Sequence, residues 1–235
     1  MNEHTSKQFD ADMEAIRTSV LNMGGLVEQQ LLRAINALKS GDGEATPELL
    51  ADEGRINDLQ VEIDRLCSQI ITKRQPTAID LRMVMTFAKT VNDLERIGDE
   101  AKKVAAKAQL IHESRRITTG QLHELTWVSE SARRMVQKAL DALARLDLKA
   151  AAEVLREDEK IDAEFVSIVR QMVSYSMEDP RTISACIEIV LVAKAIERIG
   201  DHAKNICEYV VHVVKGKDVR HISPTEIALE ISEDE

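Results

Sequence analysis

Glu95-Arg96-Ile97-Gly98-Asp99 recurs, residue for residue, as Glu197-Arg198-Ile199-Gly200-Asp201, 102 positions later in a chain of 235. A five-residue identity near the half-length indicates two copies of one unit. Each copy also sets a glutamate and an aspartate four residues apart, which an α-helix places on one face. Working outward from these strings, the chain divides into six long helical patterns separated by breakers. The first spans about Ser6 to Lys39 and stops at Gly41-Asp42-Gly43; Gly24-Gly25 within it marks a kink or a close helix contact. Thr46, as N-cap, and Pro47 open a second that reaches Arg74. Pro76, with Thr77 and Asp80 as a capping pair, opens a third that reaches about His112. Thr118-Thr119-Gly120 breaks the pattern again. A fourth covers Gln121 to Arg145, a turn at Leu146-Asp147 leads to a fifth from Lys149 to Met177, and Asp179-Pro180 opens a sixth that ends near Gly216.

The two halves align in order. Arg55-Ile56-Asn57 corresponds to Lys160-Ile161-Asp162, and both third helices start with proline, 19 residues before Glu95 and 17 before Glu197. The fold class expected is all-α, two tandem antiparallel three-helix bundles related by internal duplication. The domains expected are residues 1–116, 117–216 and an acidic tail, 217–235, that is mobile or loosely docked beyond Pro224.

Composition agrees. There are 9 Gly and 4 Pro, aromatic residues make up 3%, and 44% of residues are apolar against 31% charged, which describes an aliphatic helical core. The longest apolar run, Ile187 to Ile196, is interrupted by Glu188 and Lys194 and is too short to span a bilayer. Met1 to Lys7 lack the regions of a signal peptide, so a cytoplasmic location is expected. Cys67, Cys186 and Cys207 are isolated and read as small core residues of a reducing compartment. A net charge of -10 argues against nucleic acid as a partner and is compatible with cations or a basic protein surface.

The acids are placed where charge is expensive. Glu95 falls about 20° from Val84 and Ala88 on the apolar stripe of its helix, at 100° per residue. Glu197 similarly continues the stripe of Cys186, Val190 and Ala193. In the fifth helix Asp158 and Asp162 head a line that continues through Phe165, Val169 and Met172. Glu53 and Asn57 occupy the matching places in the second helix. A lone Glu-x-x-x-Asp is ordinarily a solvated pair, and Arg96 and Arg198 could bridge nearby acids. Duplication, stripe placement and the second acidic pair set a cation site on an equal footing with that reading, because converging carboxylates in a partly dry groove need a counter-charge. Hard cations with oxygen ligands supply it: Mg²⁺, Mn²⁺, Ca²⁺ or iron, with zinc also to be considered. Gly98 and Gly200 are expected to let a neighbouring backbone come close. The expected ligands are Glu95, Asp99, Asp158, Asp162, Glu197 and Asp201, with Glu53 and Asn57 weaker, so the second half should hold the fuller site. Glu208/His212, a further i,i+4 pair, lies beyond the stripe.

These residues resemble the PhoU family of bacterial phosphate-signalling proteins. The resemblance covers essentially the whole chain and rests on Met23-Gly24-Gly25-Leu26-Val27-Glu28-Gln29-Gln30-Leu31, Lys73-Arg74-Gln75-Pro76-Thr77, Arg156-Glu157-Asp158, Met177-Glu178-Asp179, Val214-Lys215-Gly216 and the two Glu-Arg-Ile-Gly-Asp strings. It implies two three-helix bundles, a homodimer, and negative regulation of the phosphate-starvation response. The partners it implies are the ATPase subunit of the high-affinity phosphate transporter and the phosphate-sensor histidine kinase, with membrane association only through them. It also implies metal binding through the Glu/Asp-x-x-x-Asp motifs at Glu95/Asp99 and Glu197/Asp201, with Asp158/Asp162 beside the latter; Asn57 departs from the acidic pattern. A regulatory adaptor needs no catalytic residue. The competing reading, a carboxylate-bridged metalloenzyme, needs Glu-x-x-His pairs, and none occurs. No glycine-rich phosphate loop is present, so no phosphate-binding residue is expected.

Overall fold

The computed structural model describes residues 3–41, 46–114, 119–220, 222, 226 and 227. They form six α-helices: α1 (Glu3–Ser40), α2 (Thr46–Arg74), α3 (Ala78–Glu113), α4 (Thr119–Arg145), α5 (Leu148–Glu178) and α6 (Ile183–Lys215). One 3₁₀ turn, Pro180–Thr182, precedes α6. The helix ends have local causes. Gly41 and Gly216 take left-handed φ values of 72° and 71°, which end α1 and α6 without a side-chain clash. The Asp147 carboxylate accepts from the backbone N–H groups of Lys149 and Ala150 at 2.9 and 3.1 Å and so caps α5. Asp179 caps the 3₁₀ turn by accepting from the Arg181 N–H.

Three local expectations need correction. Thr77 is the N-cap of α3, but its hydroxyl makes no capping bond; the Asp80 N–H donates to the Thr77 carbonyl at 3.1 Å instead. Gly120 lies inside α4, not before it. α1 begins at Glu3, earlier than its apolar periodicity requires, and runs unbroken through Gly24-Gly25. Gly24 is a close helix contact: a Cβ there would stand 2.8 Å from the Leu140 methyl carbons of α4. The 116/117 boundary, Asp42-Gly43 and Thr118 fall outside the described residues.

α1, α2 and α3 pack on one another, as do α4, α5 and α6, while α3 against α6 and α1 against α4 join the halves. α2 and α5 touch only helices of their own half among the described residues. α3 and α6 therefore need apolar side chains on two faces, and both have them: Val91, Leu94, Ile97 and Val104 on α3, Val192, Ile196, Ile199 and Val210 on α6, all buried. One continuous aliphatic core runs through both halves. Asp93, Glu100 and Lys107 of α3 meet His202, Arg198 and Glu188 of α6 in that order, so the two helices run antiparallel and the repeated strings cross at the centre. The chain beyond α6 is not wholly peripheral, since Val219 and Ile227 are buried in the same core. Residues 221, 223–225 and 228–235 of the expected tail lie outside the described residues. The three cysteines are buried and free; burial pushes the Cys67 thiol up to about 11, as suits an inert packing residue.

Candidate metal centre

The acids of the second half come together. One carboxylate oxygen from each of Asp158, Asp162 and Asp201 lies within 4.8 Å of the others, although α5 supplies two and α6 the third. Asp158 is 1% exposed, Asp201 is half-buried and Asp162 opens to solvent, so the group runs from the core out to the surface. Gly200 lies at its inner end. The Asp158 Oδ1 atom sits 3.3 Å from the place a Cβ of residue 200 would take. That oxygen is buried and has no hydrogen-bond partner among the described residues. Burial holds the Asp201 carboxyl above the usual carboxylate range, and the charges of Glu197, Asp158 and Asp162 add to it. Asp162 is raised in the same way, first by burial, then by Asp158 and Glu197. Glu197 borders the group, with Lys194 Nζ at 2.6 Å, itself 5.2 Å from the centroid of the Phe165 ring.

The first half places the corresponding residues differently. Glu53 gives both carboxylate oxygens to Lys102 Nζ, at 2.6 and 2.7 Å. Glu95 faces Arg96 Nε at 3.4 Å; burial raises its pKa, and Asp99 raises it further. Asp99 is half-buried, and Asn57 is exposed on α2. No group of three acids converges here among the described residues. The notch at Gly98 is occupied by another helix altogether: Oε1 of Gln30, a fully buried α1 residue, lies 2.8 Å from where a Cβ would be. Both glycines thus admit a side chain, an amide at Gly98 and a carboxylate at Gly200. This corrects the expectation of an approaching backbone. The helix axes are held apart by aliphatic side chains, and the missing Cβ leaves room for a side-chain tip only.

Two lysines escaped the sequence reading. Lys204 Nζ lies 2.8 Å from Asp158 Oδ2, and Lys102 holds Glu53 in the same relation. The signal was present, since the identity continues past the aspartates as x-Ala101-Lys102 and x-Ala203-Lys204. Burial opposes the charge on Lys204, but Asp158, Glu208 and Asp201 outweigh it and hold the ammonium above its usual pKa. The arginines differ as well. Among the described residues Arg96 meets its neighbour Glu95, whereas Arg198 crosses between halves to Glu100 at 2.8 Å, and Lys103 holds the same buried acid at 3.0 Å. Nearby, Asp93 Oδ1 accepts from Asn205 Nδ2 at 3.0 Å and lies 2.8 Å from His202 Nδ1. Glu208 and His212 do not join a ligand group among the described residues. Burial pushes the Glu208 carboxyl up to about 7, and His212 Nδ1 faces the Lys217 carbonyl at 3.2 Å.

The PhoU domain family profile matches twice, over residues 20–108 and 125–210. The chain belongs to the PhoU family. Each PhoU match encloses one Glu-Arg-Ile-Gly-Asp string and the acids facing it. The chain is similar to the phosphate-specific transport system accessory protein PhoU of Edwardsiella tarda, 45% identical over 94% of this chain and 90% of that protein. Its fold is similar to a crystal structure of PhoU from Pseudomonas aeruginosa, with a TM-score of 0.85, 41% identity, and coverage of 89% of this chain and 100% of that one. It is also similar to the phosphate transport system regulatory protein PhoU from Streptococcus pneumoniae, with a TM-score of 0.82, 26% identity, and coverage of 90% and 99%. No helix among the described residues is long and apolar enough to cross a membrane.

Proposed function

We propose that this chain is a regulatory accessory protein of a phosphate-specific transport system. It acts as a cytoplasmic homodimer that couples the transporter ATPase subunit to the phosphate-sensor histidine kinase and restrains the phosphate-starvation response. The observation that carries this reading is similarity along nearly the whole chain, through both repeats, to a protein named for that accessory role. The acidic group of the second half holds a cation. Asp158, Asp162 and Asp201 are its ligands, and Glu197 borders it. An orphaned buried Asp158 oxygen among like charges is what a bound cation would satisfy. The donor set is all carboxylate, which suits Mg²⁺, Mn²⁺ or iron better than zinc, whose sites favour nitrogen and sulfur. The first-half residues Glu95, Asp99, Glu53 and Asn57 form a weaker site, because Lys102 already neutralises Glu53. The role is not enzymatic: the chain has no Glu-x-x-His, and the acids serve to hold charge.

A bound cation also gives a chain of net charge -10 a means to bridge to acidic surfaces at the membrane, where its partners sit. Co-purification from cells grown in high and low phosphate, using tagged full-length chain, tests the adaptor role. Retention of the transporter ATPase and the kinase in at least one condition is expected. Loss of both in both conditions overturns it.

A further inference from the structure

We propose that Lys204 is the resident cation of the second-half site: its ammonium pairs with Asp158 when metal is absent, and metal binding displaces it along α6 toward Glu208. This inference rests on the metal reading above and specifies how the site is regulated.

Asp158 is 1% exposed, and an isolated carboxylate so deep would be costly. Lys204 Nζ relieves that cost at 2.8 Å from Oδ2, while Oδ1 stays without a hydrogen bond among the described residues. The acid is thus half-satisfied, held at one oxygen while carboxylate oxygens of Asp162 and Asp201 lie within 4.8 Å. A divalent ion among those three oxygens would bring two positive charges beside the ammonium. Repulsion then drives the lysine out, because both cations compete for one carboxylate. The displaced ammonium has a destination. Glu208 lies one helical turn beyond Lys204 on the same face of α6, is 6% exposed, and acts electrostatically on Lys204 already. Its carboxyl, held up by burial, gains a partner when the ammonium arrives. Lys204 is one-third exposed, so its flexible stem has room to swing.

The first half shows the same device closed. Lys102 takes both oxygens of Glu53, and the residue one turn beyond it, Ala106, offers no second carboxylate. An ammonium with nowhere to go keeps its acid. The difference predicts that the lysine is a switch in one half and a fixed clamp in the other.

The test uses full-length protein and Mn²⁺ as probe. Affinity is measured by competition with a chelating indicator for the wild type, Lys204→Met, Lys194→Met and Lys102→Met. Lys204→Met should bind Mn²⁺ about tenfold or more tightly, since removing a like charge in contact with a ligand favours the ion. Lys194→Met should have a smaller effect, and Lys102→Met should stay within about twofold. Amine-reactive labelling of the wild type, read by mass spectrometry, should find Lys204 protected without Mn²⁺ and modified with it. Equal or weaker binding by Lys204→Met overturns the proposal, as does unchanged labelling of Lys204 in protein that binds Mn²⁺; either result leaves the metal reading standing. Absence of Mn²⁺ binding by both wild type and Lys204→Met overturns the metal reading and this one with it. If Lys204→Met fails to fold, judged by its circular dichroism, the labelling of the wild type decides.

Discussion

The two halves of this chain carry the same eight-residue pattern, Glu-Arg-Ile-Gly-Asp-x-Ala-Lys, and do different things with it. In the second half Asp158 reaches into the Gly200 notch and meets Asp162 and Asp201. In the first, Gln30 of α1 lies in the Gly98 notch, Lys102 ties down Glu53, and Asn57 stands exposed. The repeated string is shared, polar residues included, while the residues that face it have diverged: Glu53 and Asn57 in one half, Asp158 and Asp162 in the other. Duplicated helices keep their packing because a change of even one methylene in a shared core is felt, whereas polar residues near the surface can change at little cost in stability.

The largest effects should confirm the shared part. Ile97 and Ile199 are equivalent and fully buried. Ile97→Ala and Ile199→Ala should each lower stability by about 2–5 kcal/mol in urea unfolding, with similar values for the two. Because one core joins the halves, each variant should unfold in a single transition; separate transitions for the two halves would break the comparison at its root.

Metal binding should separate the halves. Asp158→Asn, which keeps an acceptor for Lys204, should weaken Mn²⁺ binding about 100-fold, and Glu53→Gln should leave it within about threefold. Equal losses for the two would mean that the clamp on Glu53 does not close the first site. A smaller contrast lies between the arginines. Arg198→Ala removes a partner of the buried Glu100 and should cost about 1–2 kcal/mol, against about 0.5 kcal/mol or less for Arg96→Ala, whose partner is its own neighbour. Thermal unfolding of both variants in one buffer decides this.

The last contrast concerns pH. Glu208 is buried, while its counterpart Ala106 is exposed and uncharged. Burial raises the Glu208 carboxyl to about 7 from an ordinary 4.5. Between those values the folded chain holds a proton that the unfolded chain has released. Its contribution to stability therefore falls as pH rises from about 4.5 to about 7, and levels off above. Asp162 and Asp201, also raised, act in the same direction. Glu208→Gln should flatten the pH dependence of metal-free protein across that window. An unchanged profile would show that Glu208 does not titrate there.

Much of the fold was open to reading along the chain. Helix limits followed from Gly41, Asp147, Asp179 and Gly216, because caps and left-handed turns are local events set by neighbouring residues. The stripes that bury Val84, Val91, Cys186 and Ala193 followed from helical periodicity alone. The acids were found for the same reason, since Glu95 and Glu197 lie on those stripes. What stayed hidden depends on the register of one helix against another. The ammonium of Lys204 belongs to Asp158, 46 residues away, and the Arg198 guanidinium to Glu100 across the repeat. Nothing near Gly98 in the chain announces Gln30.

Composition, breakers and the repeated string determined that this protein is an all-α duplication with acids on its apolar faces, since each is a property of a single helix. Only the packing of α5 on α6, and of α3 across α6, decided which acids converge and which are already neutralised. Electrostatic energy depends on distances of a few ångströms between side chains on different helices, and those distances exist only once the helices have docked.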